Sequence, residues 1–107
     1  MSTVYTNKDP IIARASAAGF GGIGIIRLSG APEKMTGMLE RLFPGKKVEP
    51  RHAHLFALND AQALLIDRTI VLHFPAPASY TGESVVEIQA HGGPAVLQMI
   101  IDRCMEV

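Results

Sequence analysis

Apolar residues recur along this chain with two periods, and the switches between them lay out its elements. In "IGIIRLS", Ile23 to Ser29, alternate side chains fall on opposite faces of an extended strand. Ile23, Ile25, Arg27 and Ser29 share one face; Gly24, Ile26 and Leu28 share the other. Both faces are largely apolar, which predicts a central position in the sheet. "PIIARAS", Pro10 to Ser16, reads as a shorter strand before it. From Pro32, a residue suited to the first turn of a helix, Met35, Met38, Leu39 and Leu42 repeat with helical spacing until Pro44 and Gly45 end the run.

The second half repeats the alternation. "RHAHLFALN" reads as a strand of mixed polarity, and "NDAQ" as a turn. "LLIDRTIVLHF" then reads as a strand that places Ile66, Ile70, Leu72 and Phe74 on one face. "PAPASYTGES" is a loop. Val85 to His91, "VVEIQAH", sets Val86, Ile88 and Ala90 on one face and Val85, Glu87, Gln89 and His91 on the other. "GGP", Gly92 to Pro94, opens a last helix whose stripe is Leu97, Ile100, Ile101 and Cys104. The order ββαβββα predicts an α+β fold, a mixed sheet with two helices, and carries few signs of a doubly wound parallel sheet.

At 107 residues the chain is expected to form one domain, spanning 1–107. Lysine plus arginine and aspartate plus glutamate number ten each, so no overall positive charge draws a nucleic acid to it. The lone Cys104 excludes an intrachain disulfide and fits a reducing compartment. No apolar run approaches the length of a membrane span, and "MSTVYTNKDP" lacks the apolar core of a secretory signal. A soluble, cytoplasmic domain is expected. The first methionine is expected to be native, and the end at "DRCMEV", inside an amphipathic pattern, to be a truncation of a longer protein.

Gly19, Gly21 and Gly24 spell G-x-G-x-x-G. A dinucleotide-binding turn needs those glycines to lead a strand directly into a helix, whose N-terminal N–H groups meet a pyrophosphate. Here they lead into the β-branched "IIRLS", strand to strand, and Glu40, near the spacing of a ribose-binding acid, falls within a helix. No Lys-Ser or Lys-Thr follows, as a phosphate loop requires. The glycines are expected instead to form a hairpin turn or to let a neighbour pass close to the sheet.

Two stretches, "GGIGIIRLSG" (Gly21 to Gly30) and "FPAPASYTGESVVEIQAHGGPAVLQ" (Phe74 to Gln98), closely resemble the N-terminal domain of the MnmE (TrmE) family of tRNA-modification GTPases. The likeness runs from about Asp9 to the end. The chain departs from the family pattern at "SAAGFGG", with Phe20 where an arginine is common, and at Ser84, where aspartate is usual. The resemblance implies half of an aminomethyltransferase-like folate-binding fold, homodimerisation, and binding of 5-formyl-tetrahydrofolate as the one-carbon source for modifying a wobble uridine of tRNA. It further implies that the full-length enzyme hydrolyses GTP with magnesium and potassium in a GTPase domain this chain lacks. tRNA and a flavin-dependent partner protein would be met through the full complex. The chain alone is expected to be non-catalytic.

Arg27 and Glu87 match family ligand contacts at their motif positions. On the residues alone two readings stand. Each charge could pair with the other or with a neighbour, or the two could hold a ligand. A pterin offers an exocyclic amine and a ring N–H side by side, and one carboxylate, Glu87, can accept both. Arg27 would then fork onto the formyl-bearing or carboxylate end. In "SYTGE", Tyr80 could stack on a flat ring and Thr81 wall the pocket, or Ser79 and Thr81 could simply cap a turn. Gly92 and Gly93 offer backbone N–H groups to an anion such as a glutamate tail, or else permit close helix–sheet packing. His52, His54 and His73 show no metal-ligand spacing, so no metal site is expected. Two alternatives remain open: a stand-alone aminomethyltransferase-like one-carbon module, and an architectural dimerisation domain.

Overall fold

Two helices form where proline opens an amphipathic run. The computed structural model describes residues 10–15, 22–77, 82–91 and 93–107. Its elements are β1 (Ile11–Arg14), β2 (Ile23–Gly30), α1 (Pro32–Leu42), β3 (His54–Asn59), β4 (Leu65–Phe74), β5 (Ser84–His91) and α2 (Pro94–Glu106). Pro32 and Pro94 stand in the first turns, where a missing N–H leaves no helical bond unmade. Extended residues precede them, Ala31 and Gly93; the Ala31 carbonyl accepts from the N–H groups of Lys34 and Met35, and that of Gly93 from the N–H of Leu97. At the far end of α1, the N–H of Phe43 closes on the Leu39 carbonyl and Gly45 turns the chain at a φ of 74°.

The strands form one sheet in the order β1-β2-β5-β4-β3, antiparallel at all four pairings. The chain is therefore of the expected ββαβββα, α+β plan. Both helices cover one face. Met35, Met38, Leu39 and Leu42 of α1 and Leu97, Ile100 and Cys104 of α2 are buried there, against Ile26 and Leu28 of β2 and Val86, Ile88 and Ala90 of β5. Burial pushes the Cys104 thiol up to about 12, against a small opposing pull from Arg103, so it behaves as an apolar core atom.

Gly24 shows why that face is glycine-rich. A Cβ there would come 2.5 Å from Cδ1 of Leu97, well inside contact distance. The glycine lets α2 lie directly on β2. Gly19 and Gly21 lie outside the described residues, but β1 and β2 are adjacent antiparallel strands, so the glycine stretch does join strand to strand.

Two sequence expectations need correction. β2 lies inside the sheet, but β5 is its centre, and the second face of β2 carries no helix; Ile23 is exposed and Ile25 half-buried. Nor do Ile66, Ile70, Leu72 and Phe74 share a face. Thr69 and Val71 are the buried residues of β4, and Ile70 alternates to the opposite side. Ile66 instead packs against the core, because the register shifts at Leu58 and Asn59: Leu58 pairs with Asp67 and Asn59 with Leu65, leaving Ile66 as an extra residue. A bulge breaks alternation in this way. Thr69 tolerates its buried position by donating its hydroxyl to the Phe56 carbonyl at 3.0 Å. His73, two residues beyond Val71, keeps Nε2 buried without a hydrogen-bond partner among the described residues, and burial lowers its pKa.

Candidate functional site

Away from the helices, cross-strand register sets the side chains in rows. Arg27 stands opposite Glu87, and Glu87 opposite Leu72. In the next row, Ile25, Gln89, Ile70 and Leu55 face one another in turn. In the third, Ile23 pairs with His91. Glu87, Gln89 and His91 thus form a polar column along the central strand, each about 7 Å from the next. Apolar side chains of β2, β4 and β3 flank it.

The sheet joins the two expected charges. Arg27 Nη2 donates to Glu87 Oε1 at 2.8 Å, with the arginine side chain 36% and the glutamate 13% exposed. Glu87 Oε2 accepts from Gln89 Nε2 at 3.3 Å. An ionised carboxylate has about four acceptor positions, so two engaged oxygens still leave capacity for a ligand donor on each. Beside the pair lies a hollow of about 400 Å³ lined by Ile11, Ala13, Arg14, Arg27, Ser29 and Glu83. Ser29 Oγ and Glu83 Oε1 meet at 3.4 Å on its rim. A larger hollow, about 510 Å³, is bounded by Ile12, Met38, Ile101 and Met105. It lacks the convergent polar side chains that orient a ligand, so the candidate site is placed at the charged pair.

The other expected site residues fare differently. Tyr80, Thr81 and Gly92 lie outside the described residues. Gly93 takes an ordinary extended conformation at the start of α2, and a Cβ there would meet nothing within 4 Å. Packing does not demand glycine at Gly93; it does at Gly24. Ser84 is buried, and its hydroxyl accepts from the Ala76 N–H at 3.0 Å, so a short acceptor at that position ties the loop to β5.

Sequence reasoning missed a second polar pair. His91 Nδ1 lies 2.8 and 2.9 Å from the two carboxylate oxygens of Asp67, and the His91 N–H donates to Oδ2 at 2.9 Å. An ionised carboxylate only accepts, so Nδ1 carries the proton and Nε2 is turned away. Burial alone would raise the Asp67 pKa, but the backbone and imidazole of His91, with the Arg68 N–H, outweigh it and lower it. Nothing in the sequence signals this pair, since only the sheet brings β4 and the end of β5 together. Among the described residues no group of three or more histidine, cysteine and acidic side chains is placed to hold a metal. No helix there is long and apolar enough to cross a membrane.

Five antiparallel strands, both helices on one side and an acid–guanidinium pair on the other, define an α+β domain with one covered and one open sheet face. The family model described as the GTP-binding protein TrmE N-terminus matches residues 10–107, and the chain belongs to that family. The tRNA modification GTPase MnmE of Methylibium petroleiphilum is 51% identical over 100 residues, covering 94% of this chain and 21% of that protein. Its counterpart in Nitrosomonas europaea is 48% identical over 102 residues, with 95% and 22% covered. That of Pseudomonas putida is 46% identical over 102 residues, again with 95% and 22% covered. The chain spans about a fifth of the length of the curated relatives it matches.

Proposed function

We propose that this chain is the folate-binding, dimer-forming part of a tRNA-modifying GTPase. Its open sheet face takes 5-formyl-tetrahydrofolate as the one-carbon source for a wobble uridine. The observation that carries this reading is the meeting of Arg27 and Glu87, from two separate strands, with Arg27 lining a hollow of about 400 Å³. Glu87 accepts the paired N–H donors of the pterin on its remaining lone pairs, and Arg27 forks onto an oxygen of the ligand. Tyr80 and Thr81 wall the ring. The N–H groups of Gly92 and Gly93 face the glutamate end. A second copy of the chain covers the exposed Ile23, Leu55 and Ile70.

The remainder of the function belongs outside this chain. GTP hydrolysis with magnesium and potassium, contact with tRNA and a flavin-dependent partner protein, and a cytoplasmic setting are proposed for the whole protein. This chain supplies no catalytic residue. The 2.8 Å ion pair itself favours a second reading, a purely architectural domain in which the two charges satisfy each other. Calorimetric titration with 5-formyl-tetrahydrofolate separates the two. The ligand is expected to bind, and Glu87→Gln to weaken it by about tenfold or more, the scale of a lost charge-assisted hydrogen bond. Absence of binding by a folded protein would establish the architectural reading, and equal binding by the variant would remove Glu87 from the ligand site. Sedimentation at increasing concentration is expected to show a dimer; a monomer throughout would remove the dimeric part of the proposal.

A further inference from the structure

The chain is neutral overall, yet its basic residues are unevenly placed. Arg41, Lys46, Lys47 and Arg51 fall between positions 41 and 51, which hold one acid, Glu49. The fold brings Arg103 of α2 to the same region. A hollow of about 320 Å³ opens where the end of α1, the β3–β4 turn and α2 meet, beside β3 at the edge of the sheet. Arg41, Lys46 and Arg103 line it, with Ala57, Ala61 and Ala63. Two of these cations are seated. Arg103 donates Nε–H to the Asn59 carbonyl and Nη1 to Glu106, each at 3.1 Å, contacts that leave Nη2 unused. Arg41 donates Nη2 to the Val107 carbonyl at 3.4 Å and lies against Gly37, where a Cβ would crowd that nitrogen at 3.3 Å. A glycine inside a helix costs about 1 kcal/mol, and here it makes room for the guanidinium. Lys46 is exposed and makes no ion pair among the described residues. The one acid lining the hollow, Asp60, turns Oδ1 to the N–H groups of Gln62 and Leu64.

We infer that this hollow is a contact for the phosphate backbone of a structured RNA, in which Arg41, Lys46 and Arg103 neutralise neighbouring phosphates and read no bases. The inference rests on the tRNA reading above and gives this chain a share of a contact otherwise assigned to the whole protein. Charge sets the class of ligand. The large apolar lining residues, Leu42 and Phe43, are buried, so the hollow offers a protein partner none of the exposed anchors that carry such interfaces. Phosphates need no such anchor. Guanidinium and ammonium groups hold them, and those contacts position a nucleic acid without carrying sequence information. Three elements supply the cations: α1, the turn after it and α2. The charges are therefore spread along the hollow, as those of a strand are spread one per nucleotide. Arg27 and Glu87 lie on β2 and β5, further into the sheet than β3, so RNA here leaves the folate site uncovered.

Fluorescence anisotropy of labelled bulk tRNA, titrated with this chain at stepped potassium chloride concentrations, tests the contact. Binding is expected, with log Kd rising against log salt at a slope of about 3, one phosphate for each cation. Lys46→Ala should weaken binding severalfold and lower that slope by about one, and Arg41→Ala should do the same. Lys34→Ala removes an equal charge from the other end of α1 and should change neither. All three side chains are exposed, so the variants should fold normally. Absence of salt-dependent binding, or equal losses from Lys34→Ala and Lys46→Ala, would overturn the contact. So would polyglutamate that binds as tightly as the tRNA, which would assign the hollow to an acidic protein. Titration with 5-formyl-tetrahydrofolate keeps this inference apart from the folate reading, since Lys46→Ala should bind that ligand as the unmodified chain does. Folate binding without RNA binding would remove the RNA contact alone; failure of both ligands would remove the folate reading with it.

Discussion

The two faces of this sheet are built from the same strands but obey different rules. On the helix side, Ile26, Ile88 and Val71 are fully buried and glycine gives way to a leucine of α2. On the other side, Ile23 and Ile70 lie exposed around a column of Glu87, Gln89 and His91. One face is a finished core, whose residues are fixed by volume. The other has polar groups in register, apolar flanks and hollows between them, which suits it to covering by a ligand or a second copy. On the proposed reading, the β2 and β5 side chains, taken alternately, carry stability and recognition.

Substitution should separate the faces cleanly. Ile88→Ala, on the covered face, is expected to lower unfolding free energy by about 2–5 kcal/mol in urea titrations, because the cavity cannot refill. Ile70→Ala, on the open face, should change the monomer by less than about 1 kcal/mol. If the proposed dimer forms, that small figure should grow with protein concentration. Comparable losses at both sites, independent of concentration, would dissolve the distinction.

Gly24→Ala sharpens the contrast. Overpacking against Leu97 should destabilise by about 1–3 kcal/mol, and Leu97→Ala in the same chain should recover part of it, giving less than the sum of the two single changes. Additive losses would mean that the close approach of α2 is not what requires glycine.

Near neutral pH the smallest effects are those of titration. The Cys104 thiol is held near 12 in the fold against 9.0 for the ordinary group, so the folded state keeps a proton that the unfolded chain loses. Stability should fall as pH rises above 9.0, and Cys104→Ala should flatten that limb. His73 works in the other direction. Its pKa is lowered from 6.5 by burial, so the unfolded chain binds the extra proton first. The stability this provides is full above pH 6.5 and declines as pH falls through that value, a decline His73→Phe should remove. Asp67, lowered from 3.8, contributes only further down, below its ordinary value. Acid and alkaline unfolding midpoints of the variants measure each contribution.

Legibility followed the same division. Helical stripes such as Met35-Met38-Leu39-Leu42 became core as read, since a 3.6-residue period has only one way to face a sheet. The alternation of β5 likewise marked Val86, Ile88 and Ala90 as core, but it missed Val85, which is buried although it belongs to the other face. β4 misled because one extra residue, Ile66, falls on the core side while Ile70, Leu72 and Phe74 keep a common face, and a bulge leaves no compositional mark. The Arg27–Glu87 pair could be suspected from charge set among isoleucines and from family likeness, but its 2.8 Å contact depends on β2 pairing with a strand sixty residues later. Asp67 and His91 are likewise far apart in sequence and carry no motif between them.

Methyl resonances of the isoleucines test the central claim most directly, because they report each face separately. On adding 5-formyl-tetrahydrofolate, the methyls of Ile25 and Ile70 should shift while those of Ile26, Ile88 and Ile100 stay essentially still. Shifts confined to the buried set, or none at all at saturating ligand, would contradict the assignment of recognition to the open face.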